Sequence, residues 1–454
     1  MKKCSIYIMI LFCIFALRGF AAQKLDEESL QKKKRGWYAT PSPLLSYYSD
    51  SGLGYGACVY LFYNGNDEDK GFDETPYFTQ IYAQFYQTTK GWSQHEITWD
   101  QYRLFNTSLR IRAAVMYEKK LNANYFGIGS RTTHHNLEDG NLTTHKTWNH
   151  YYKRFLKDDY FFFTQGYWWH FVSYKYDNYG YVQPRGYLNL IGKFAEEIPV
   201  IKNFEYLVGF QVQHMSLRRW DLHGYRVNGR RFVEFNPTRL TRERPQGHQG
   251  GWSNFIRIGL AYDSLDYEPD PTKGIRAEYC LETSQRFFGS DYVYYRNTLG
   301  FRWYQTWFKG FTQVLRLAYT MSAHNMPFFD LNRFAFFWNR ETGLGGPRTL
   351  RGYKNDRFVG KTMTLANLEL RYHIGDIVIP VLGRFGLKIV GFVEAGNVYD
   401  KSGYPFSHPR WRDYQYCYGG GFVVPWNQAT IMHLYVGFSR EDYAVSLDFE
   451  HGIR

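Results

Sequence analysis

The chain of 454 residues carries a formal net charge of +13 and contains 41 tyrosines, 37 phenylalanines and 13 tryptophans. Beyond a short N-terminal run it has no apolar stretch approaching the roughly 20 residues of a membrane-spanning helix, which excludes a helical membrane protein. Three later cysteines, Cys58, Cys280 and Cys417, are too few and too widely spaced for a disulfide framework, and we interpret them as small fillers of strands.

The N-terminus has the pattern of a secretory signal peptide. Two lysines follow Met1, an apolar run extends from Ile6 to Leu17, and small residues stand at positions 19, 21 and 22. This order predicts a signal peptide over residues 1–22. Residues 23–36 are then predicted to form a short periplasmic segment, with no room before residue 37 for a folded periplasmic domain.

The aromatic content predicts a membrane β-barrel for residues 37–454. Aromatic girdles mark both edges of the apolar band of outer-membrane barrels, whose alternating strands give little hydropathy signal. In "FIRIGLAYD", residues 255–263, Ile256, Ile258 and Leu260 share one face, whereas Arg257 and Asp263 share the other. Because successive strand residues face opposite sides, this pattern predicts one face in lipid and one in a wet lumen.

The same reading along the chain predicts an all-β, 16-stranded antiparallel transmembrane barrel. An even strand number is typical of bacterial barrels, and closure removes unpaired edges from the lipid. The predicted strands are 37–47, 53–63, 77–88, 92–104, 108–119, 157–174, 203–216, 252–264, 273–284, 292–305, 311–322, 361–374, 385–398, 414–424, 430–440 and 442–450. In the last of these, the predicted lipid face consists of Tyr443, Val445, Leu447 and Phe449.

Loop lengths predict which ends are extracellular, since these barrels have long extracellular loops and short periplasmic turns. The long connections 120–156, 217–251 and 323–360 follow strands five, seven and eleven, and therefore lie on one side. The connections 64–76 and 175–202 are too long for the periplasmic side where this count places them.

The loop 323–360 contains "GGPRTLRGYKND", with Arg351, Gly352 and Tyr353 in succession. Alternation in the two following strands turns Glu369 and Glu394 toward the lumen. A loop of this length reaches into a wide barrel, where a planar guanidinium bridges two carboxylates well. We therefore predict that the loop folds into the lumen and that Arg351 meets both carboxylates. The alternative is an ordinary exposed loop.

The loop motif resembles the hallmark of the BamA/TamA superfamily, the bacterial surface-antigen barrels of the outer membrane. Members carry an Arg-Gly-aromatic tripeptide in the sixth extracellular loop, often after paired glycines, as in Gly345-Gly346 followed by Leu350-Arg351-Gly352-Tyr353. The segments "YDSLDYEPDPTKGIRAEY", "NLELRY", "FVEAGNVYD" and "YFGIG" are similar to other family segments. The resemblance implies that Arg351 pairs with Glu369 and Glu394, although the second position is usually Asp. Typical members also carry periplasmic polypeptide-transport-associated domains, which we expect this chain to lack.

The resemblance implies assembly or export of polypeptides through a lateral seam between the first and last strands. Pro41 and Pro43 in the first strand are compatible with a weak edge, because proline donates no ladder hydrogen bond. The alternative is a non-transporting structural or interaction barrel that forms homo-oligomers or anchors a partner. Expected partners are outer-membrane lipid, surface glycolipid, client polypeptides and other outer-membrane proteins, with no nucleic acid.

An enzymatic function is the least favoured. The segment "THHNLED" brings together His134, His135, Glu138 and Asp139, which are possible metal ligands or acid–base groups. Adjacent histidines in a long polar loop are more often solvated, and no nucleophile or zinc-helix motif accompanies them. We therefore expect no enzymatic activity, no cofactor and no metal.

Overall fold

The fold was obtained as a computed structural model. It describes residues 34–48, 51–69, 71–72, 75, 77–134, 137–138, 144–147, 160–164, 167–171, 176–194, 198, 201–218, 222–227, 230–235, 238–266, 270–337, 340–379, 383–402, 413–426 and 430–451. The predicted signal peptide and nearly all of the segment 23–36 lie outside these ranges.

Sixteen antiparallel strands form one closed barrel, as predicted. Each strand pairs with its neighbours in the chain, and β1 also pairs with β16. The strands are β1 Trp37–Tyr48, β2 Gly52–Tyr63, β3 Thr79–Thr88, β4 Trp92–Gln101, β5 Arg110–Asn124, β6 Asn178–Lys193, β7 Phe204–Arg218, β8 Phe255–Asp263, β9 Gly274–Ser284, β10 Tyr294–Phe308, β11 Phe311–His324, β12 Thr362–Ile379, β13 Gly383–Tyr399, β14 Gln415–Trp426, β15 Thr430–Ser439 and β16 Tyr443–His451.

The remaining elements are short and lie in the connections. One two-residue strand, Gly251–Trp252, pairs with the end of β7. Within the described residues, four hairpins belong to the connections and are not part of the barrel wall: Leu137–Glu138 with Thr144–His145, Tyr160–Thr164 with Tyr167–Phe171, Leu222–Val227 with Arg230–Phe235, and Arg333–Ala335 with Arg340–Thr342. The helices are Arg131–His134, Arg239–Glu243 and Phe328–Leu331, with 3-10 turns at Leu104–Asn106 and Arg286–Phe288. Among the described residues, no helix combines the length and apolarity needed to cross a membrane.

Burial alternates along the strands as the sequence pattern predicts. In β8, Ile258 and Leu260 are 48% and 51% exposed on the outer face, whereas Arg257 is buried. The lumen side is polar, and charged side chains there form ion pairs. The carboxylate of Glu282 accepts from Arg257 at 2.7 Å and from Arg296 at 3.1 Å. The outer face is therefore suited to lipid and the inner face to a wet interior.

The predicted sixth strand, 157–174, was wrong. Its aromatic segments Tyr160–Thr164 and Tyr167–Phe171 pair with each other, and the barrel strand is β6, which pairs with β5 and β7. Pro184 and several glycines in β6 obscured its pattern, while the aromatic run has the composition of a spanning strand. The correction gives a long connection 125–177 on the extracellular side and shortens the following periplasmic one to 194–203. The connection 64–78 stays long on the periplasmic side.

The extracellular mouth is filled by a packed apolar cluster. It joins strand ends to the sixth extracellular loop, residues 325–361, which we call L6. The helix Phe328–Leu331 contributes three buried side chains to the cluster. A second cluster surrounds the L6 motif itself and includes Leu350, Tyr353 and Phe358. The core of L6 is thus packed against the inside of the barrel wall.

Candidate functional site

Two glycines let L6 make its innermost turn. Gly345 and Gly346 have φ angles of 112° and 99°, which side chains strongly disfavour. The backbone N–H of Gly345 donates to Thr349 Oγ1 at 3.0 Å, and that of Gly346 donates to the carbonyl of Tyr353 at 3.0 Å. These bonds close the turn so that Arg351 lies at its tip.

Arg351 bridges the two carboxylates that strand alternation predicts to face the lumen. Its Nε donates to Glu394 Oε1 at 2.7 Å and its Nη2 donates to Glu369 Oε1 at 2.6 Å. Its backbone N–H also donates to Glu394 Oε2 at 2.6 Å. Glu369 lies on β12 and Glu394 on β13, so one arginine ties L6 to two adjacent strands. Such charge-assisted bonds are among the stronger ones in proteins.

Further donors complete the carboxylate environment. Asn367 Nδ2 donates to Glu394 Oε1 at 2.9 Å, and the Cys417 thiol donates to Glu394 Oε2 at 3.0 Å. Arg371 Nε donates to the second oxygen of Glu369 at 2.9 Å. Burial works against the cation of Arg351, but the two carboxylates outweigh it and raise the pKa of Arg351 above its ordinary value. The guanidinium of Arg351 is therefore held in its charged form.

Aromatic rings stack on the same guanidinium. The Cζ atom of Arg351 lies 3.7 Å from the centre of the Phe392 ring and 4.6 Å from that of Tyr435. A cation over a ring face is attracted by the negative charge of that face. These rings, on β13 and β15, pack on the face of the guanidinium, and the carboxylates bind the N–H groups at its edge.

Gly352 and Tyr353 press L6 against the strands that precede β16. A Cβ atom at Gly352 would lie 2.8 Å from the backbone of Phe438, and one at Gly437 would lie 2.6 Å from Arg351. Only glycine fits this approach of two backbones. Tyr353 is buried against the Phe358 ring, with 5.0 Å between ring centres.

A second buried ion pair anchors the outer part of L6. Arg357 forms a fork with Glu441 in the connection between β15 and β16, with bonds of 2.7 to 3.0 Å. Arg357 Nη1 also donates to the carbonyl of Thr132 in the third extracellular loop at 3.3 Å. L6 is thereby joined to the last hairpin of the barrel and to a neighbouring loop.

The periplasmic turn between β8 and β9 contacts the ion pairs around Glu369 from the periplasmic side. Asp270 in this turn forms an ion pair with Lys388 on β13 and lies 4.0 Å from Arg371 on β12. Arg371 in turn binds Glu369. A cavity of about 180 Å³ lies beside these groups. Asp270, Arg371 and Arg351 are among the residues that line it.

The seam between β1 and β16 is short. Only two residue pairs, Tyr47 with Leu447 and Tyr48 with Ser446, connect these strands within the described residues. By contrast, β1 pairs with β2 over its whole length, from Trp37 opposite Tyr63 to Tyr48 opposite Gly52. Within the described residues, the ladder between β1 and β16 therefore reaches only the last two residues of β1.

The predicted lipid-facing residues of β16 differ in exposure. Tyr443 is 60% exposed, and Val445 and Leu447 are partly exposed. Phe449 belongs to β16 by its backbone, and its side chain lies outside the described part of the structure.

The histidine cluster considered for catalysis is only partly described. His134 ends the helix Arg131–His134 and Glu138 belongs to the hairpin that begins at Leu137. His135 and Asp139 lie outside the described residues. The side-chain arrangement of this segment thus lies outside the described part of the structure, and the absence of enzymatic activity stays a prediction.

Some site residues were missed by the sequence reasoning. Cys417, interpreted as a filler, donates to Glu394, and the pairs Arg357 with Glu441 and Arg348 with Asp448 were not expected. For Cys417, strand alternation was the one sequence signal of a role in the site, because it places this side chain on the lumenal face. The other contacts depend on the path of L6, which no periodicity reports.

Solved structures of outer-membrane proteins are similar to this barrel. CdiB from Escherichia coli aligns with a TM-score of 0.51 at 8% identity, over 92% of this chain and 64% of its own. BamA from Haemophilus ducreyi lacking POTRA domains 1–3 aligns with a TM-score of 0.49 at 13% identity, over 91% and 70%. CdiB from Acinetobacter baumannii gives 0.45 at 9% identity, over 92% and 60%. The CdiB likeness from Escherichia coli supports the fold alone, and this chain spans less than two thirds of either CdiB.

Matches to models of protein families identify the family of this chain, which the structural similarities alone do not. Residues 20–78 match a domain of unknown function, DUF5982, and residues 76–434 match the Omp85 superfamily domain. No curated protein sequence matches the chain. Because the Omp85 match extends over most of the barrel and confirms the resemblance seen in the L6 motif, this chain belongs to the Omp85 superfamily and forms a barrel of the bacterial outer membrane.

Proposed function

We propose that this barrel assists the insertion or export of polypeptides by adding a client strand to the edge of β1 that faces β16. The observation that carries the proposal is the seam, where two residue pairs join β1 to β16 in the part of the chain that the structure describes. An unpaired strand edge offers a row of backbone donors and acceptors, and an extended segment binds it by continuing the sheet. Membership of the Omp85 superfamily supports assembly or translocation in general.

The composition of β1 supports an edge that exchanges partners. Pro41 and Pro43 lie in the part of β1 beyond the two seam pairs, where neither contributes an N–H group to a ladder. On the other side of the seam, β16 pairs with β15 over nine positions, from Thr430 opposite His451 to Phe438 opposite Tyr443. Opening the described part of the seam therefore breaks few bonds and leaves both flanking hairpins intact.

The firm anchoring of L6 suits the same function. Arg351 and Arg357 hold L6 against β12, β13 and the last hairpin, so these strands stay joined through L6 when the seam separates. Expected partners are client polypeptides, other outer-membrane proteins, lipid and surface glycolipid.

In-cell photo-crosslinking tests the proposal. A photoreactive residue is placed at Val445 or Leu447 on the seam strand, with Leu299 on β10 as the control, since Leu299 is 49% exposed on the lipid face away from the seam. Adducts of the seam positions with varied outer-membrane or secreted polypeptides, together with their absence at Leu299, support client handling. Adducts with lipid, with a second copy or with one constant partner would instead favour a structural or interaction barrel.

A further inference from the structure

The hairpin formed by β12 and β13 extends beyond β11 on the periplasmic side of the barrel. The ladder between β11 and β12 ends at the pair of Phe311 with Tyr372. The N–H group of His373 then donates to the carbonyl of Gly310, in the turn before β11. From there β12 continues to Ile379, and within the described residues its strand partner along this length is β13. The end of β12 therefore has an edge that β11 does not reach.

This end of β12 is apolar, and neither of its faces is covered by described residues. Ile377, Val378 and Ile379 are 62%, 72% and 41% exposed, and we call these three residues the β12 tip. Successive residues of a strand point to opposite faces, so the exposure of all three leaves both faces of the tip open. Apolar residues on both faces are typical of strands that are covered from both sides.

The β12 tip lies beyond the aromatic girdle of the periplasmic interface. Trp307 and Phe308 at the end of β10 and Tyr372 on β12 are exposed, as expected of aromatic side chains at this depth. β12 runs from L6 toward the periplasm and passes Tyr372 before it reaches the tip. Contact with lipid does not account for apolar residues on both faces, because a barrel strand has only its outer face in lipid.

The backbone of the tip determines the kind of partner that fits it. An edge strand presents a row of N–H and C=O groups, and an extended polypeptide satisfies them by continuing the sheet. The segment "IGDIVI", residues 374–379, is rich in β-branched residues and contains neither proline nor lysine, which often protect exposed edges. A bulge between His373 and Gly375 precedes the tip and leaves its pairing with β13 regular. The tip is therefore suited to binding another strand.

A client strand fits the tip better than two other occupants. Residues 23–33 of this chain are mostly charged or polar, with two leucines as their apolar residues, and so cannot cover apolar side chains on both faces. A second copy in the same membrane presents β12 in the same direction, so the two tips cannot form an antiparallel ladder like those of the barrel wall.

We infer that the β12 tip is a periplasmic docking strand that binds a client polypeptide in extended form. The client segment adds to the edge of the tip and covers it with β-branched and aromatic side chains, the residue types that stabilise neighbouring strands best. This inference rests on the proposed function, since it names where a client is held on the periplasmic side before it reaches the edge of β1.

Photo-crosslinking of the full chain in cells tests the inference. A photoreactive residue replaces Val378 or, in a separate chain, Phe105. Phe105 is the matched control because it is 87% exposed in the periplasmic 3-10 turn Leu104–Asn106, which presents no strand edge. We expect Val378, and not Phe105, to form adducts with varied outer-membrane or secreted polypeptides. Mass spectrometry should place the crosslinks in segments that form spanning strands in the mature clients.

A charge on the tip provides the second measurement. Ile377→Lys is made in the chain that carries the photoreactive residue at Val378, and Phe105→Lys, which adds the same charge at another periplasmic turn, is its control. Both positions are exposed, so the barrel tolerates either substitution. Ile377→Lys is expected to lower the polypeptide adducts by a factor of about five or more, because it removes an apolar contact and protects the edge. Phe105→Lys should leave them unchanged.

Adducts at Val378 with a second copy, with one constant partner or only at the level of Phe105 would overturn the inference, as would equal adducts in the two lysine variants. The seam positions Val445 and Leu447 report on the proposed function separately. Client adducts at the seam without any at Val378 would refute the docking strand alone. Client adducts at Val378 without any at the seam would refute strand addition at β1 and retain the docking strand.

Discussion

Arg351 gives Glu394 two hydrogen bonds, one from its backbone N–H at 2.6 Å and one from its side-chain Nε at 2.7 Å. The main chain and the side chain of the L6 tip are therefore held by one buried carboxylate on β13. A side-chain substitution at Arg351 removes the second bond and leaves the first, which makes the role of the guanidinium separable from that of the turn.

Arg351→Ala is expected to destabilise the barrel strongly. The substitution leaves Glu394, which is 1% exposed, and Glu369 without their shared cation, and breaking a well-buried pair costs about 3–5 kcal/mol. Equilibrium unfolding in urea measures the loss, and limited proteolysis measures exposure of L6. Arg286→Ala is the control, because Arg286 lies exposed in a turn. Unfolding and proteolysis profiles equal to those of the control would contradict the role assigned to Arg351.

Gly352→Ala is expected to displace L6 with a smaller cost. The added Cβ would lie 2.8 Å from the Phe438 backbone and 2.9 Å from Cys417 Cβ, so the loop or β15 must move. Overpacking of this kind costs about 1–3 kcal/mol in the free energy of unfolding. Gly391→Ala on the exposed face of β13 is the matched control, since nothing lies within 4 Å of its added methyl group. Equal urea midpoints for the two variants would show that the close approach is not required.

Tyr353 is expected to act through its ring. Its hydroxyl makes one long bond, 3.4 Å to the carbonyl of Tyr416, whereas its ring is buried against Phe358. Tyr353→Phe should therefore lower the free energy of unfolding by no more than about 1 kcal/mol. Tyr353→Ala leaves a cavity and should cost about 3–5 kcal/mol. Similar unfolding curves for both variants would indicate that the hydroxyl, or neither part, carries the contact.

Asp356→Asn is expected to stabilise L6 at neutral pH. Burial raises the pKa of Asp356 despite nearby cations, so the folded state favours the protonated acid. The stability that this acid contributes is full below its unfolded pKa and falls as the pH rises through its folded pKa. Asparagine mimics the neutral acid and also tolerates the φ angle of 55° at this position. The variant should exceed the parent in unfolding free energy at pH 7 and match it near pH 3, and a constant difference across this range would refute the titration.

Asp270→Asn is expected to loosen the periplasmic turn without unfolding the barrel. The ion pair with Lys388 is partly exposed, so its loss costs no more than about 1 kcal/mol. Hydrogen exchange should quicken in the turn between β8 and β9 and in the half of β12 that carries Arg371. Exchange that changes nowhere would show that the turn is held by its backbone alone.

The regular part of the fold could be predicted from the sequence, and the irregular part only where a motif was present. Alternation in segments such as β8 and β9 reports the two environments directly, so fifteen of the sixteen predicted strands overlap the barrel strands. The exception is β6, where Pro184 broke the pattern and the aromatic hairpin Tyr160–Thr164 with Tyr167–Phe171 imitated a spanning strand.

The central residues of the site could also be predicted from the sequence, and the contacts around them could not. Inward alternation and the L6 motif together indicated Arg351, Glu369 and Glu394. The contact of Arg348 with Asp448 could not be predicted, because it depends on the path of a long loop. Strand periodicity reports which face a residue lies on, and it does not report which distant residue comes opposite.

A reversible lock on the seam tests the central claim most directly. In cells, a chain with cysteines in place of Tyr47 and Leu447, which lie opposite each other across the seam, carries a photoreactive residue at Leu45 on β1. Adducts are compared before and after reduction of the disulfide between the two cysteines. The account predicts that polypeptide adducts are absent while the seam is locked and appear once it is released. Equal adducts in both states, or none in either, would contradict strand addition at the edge of β1.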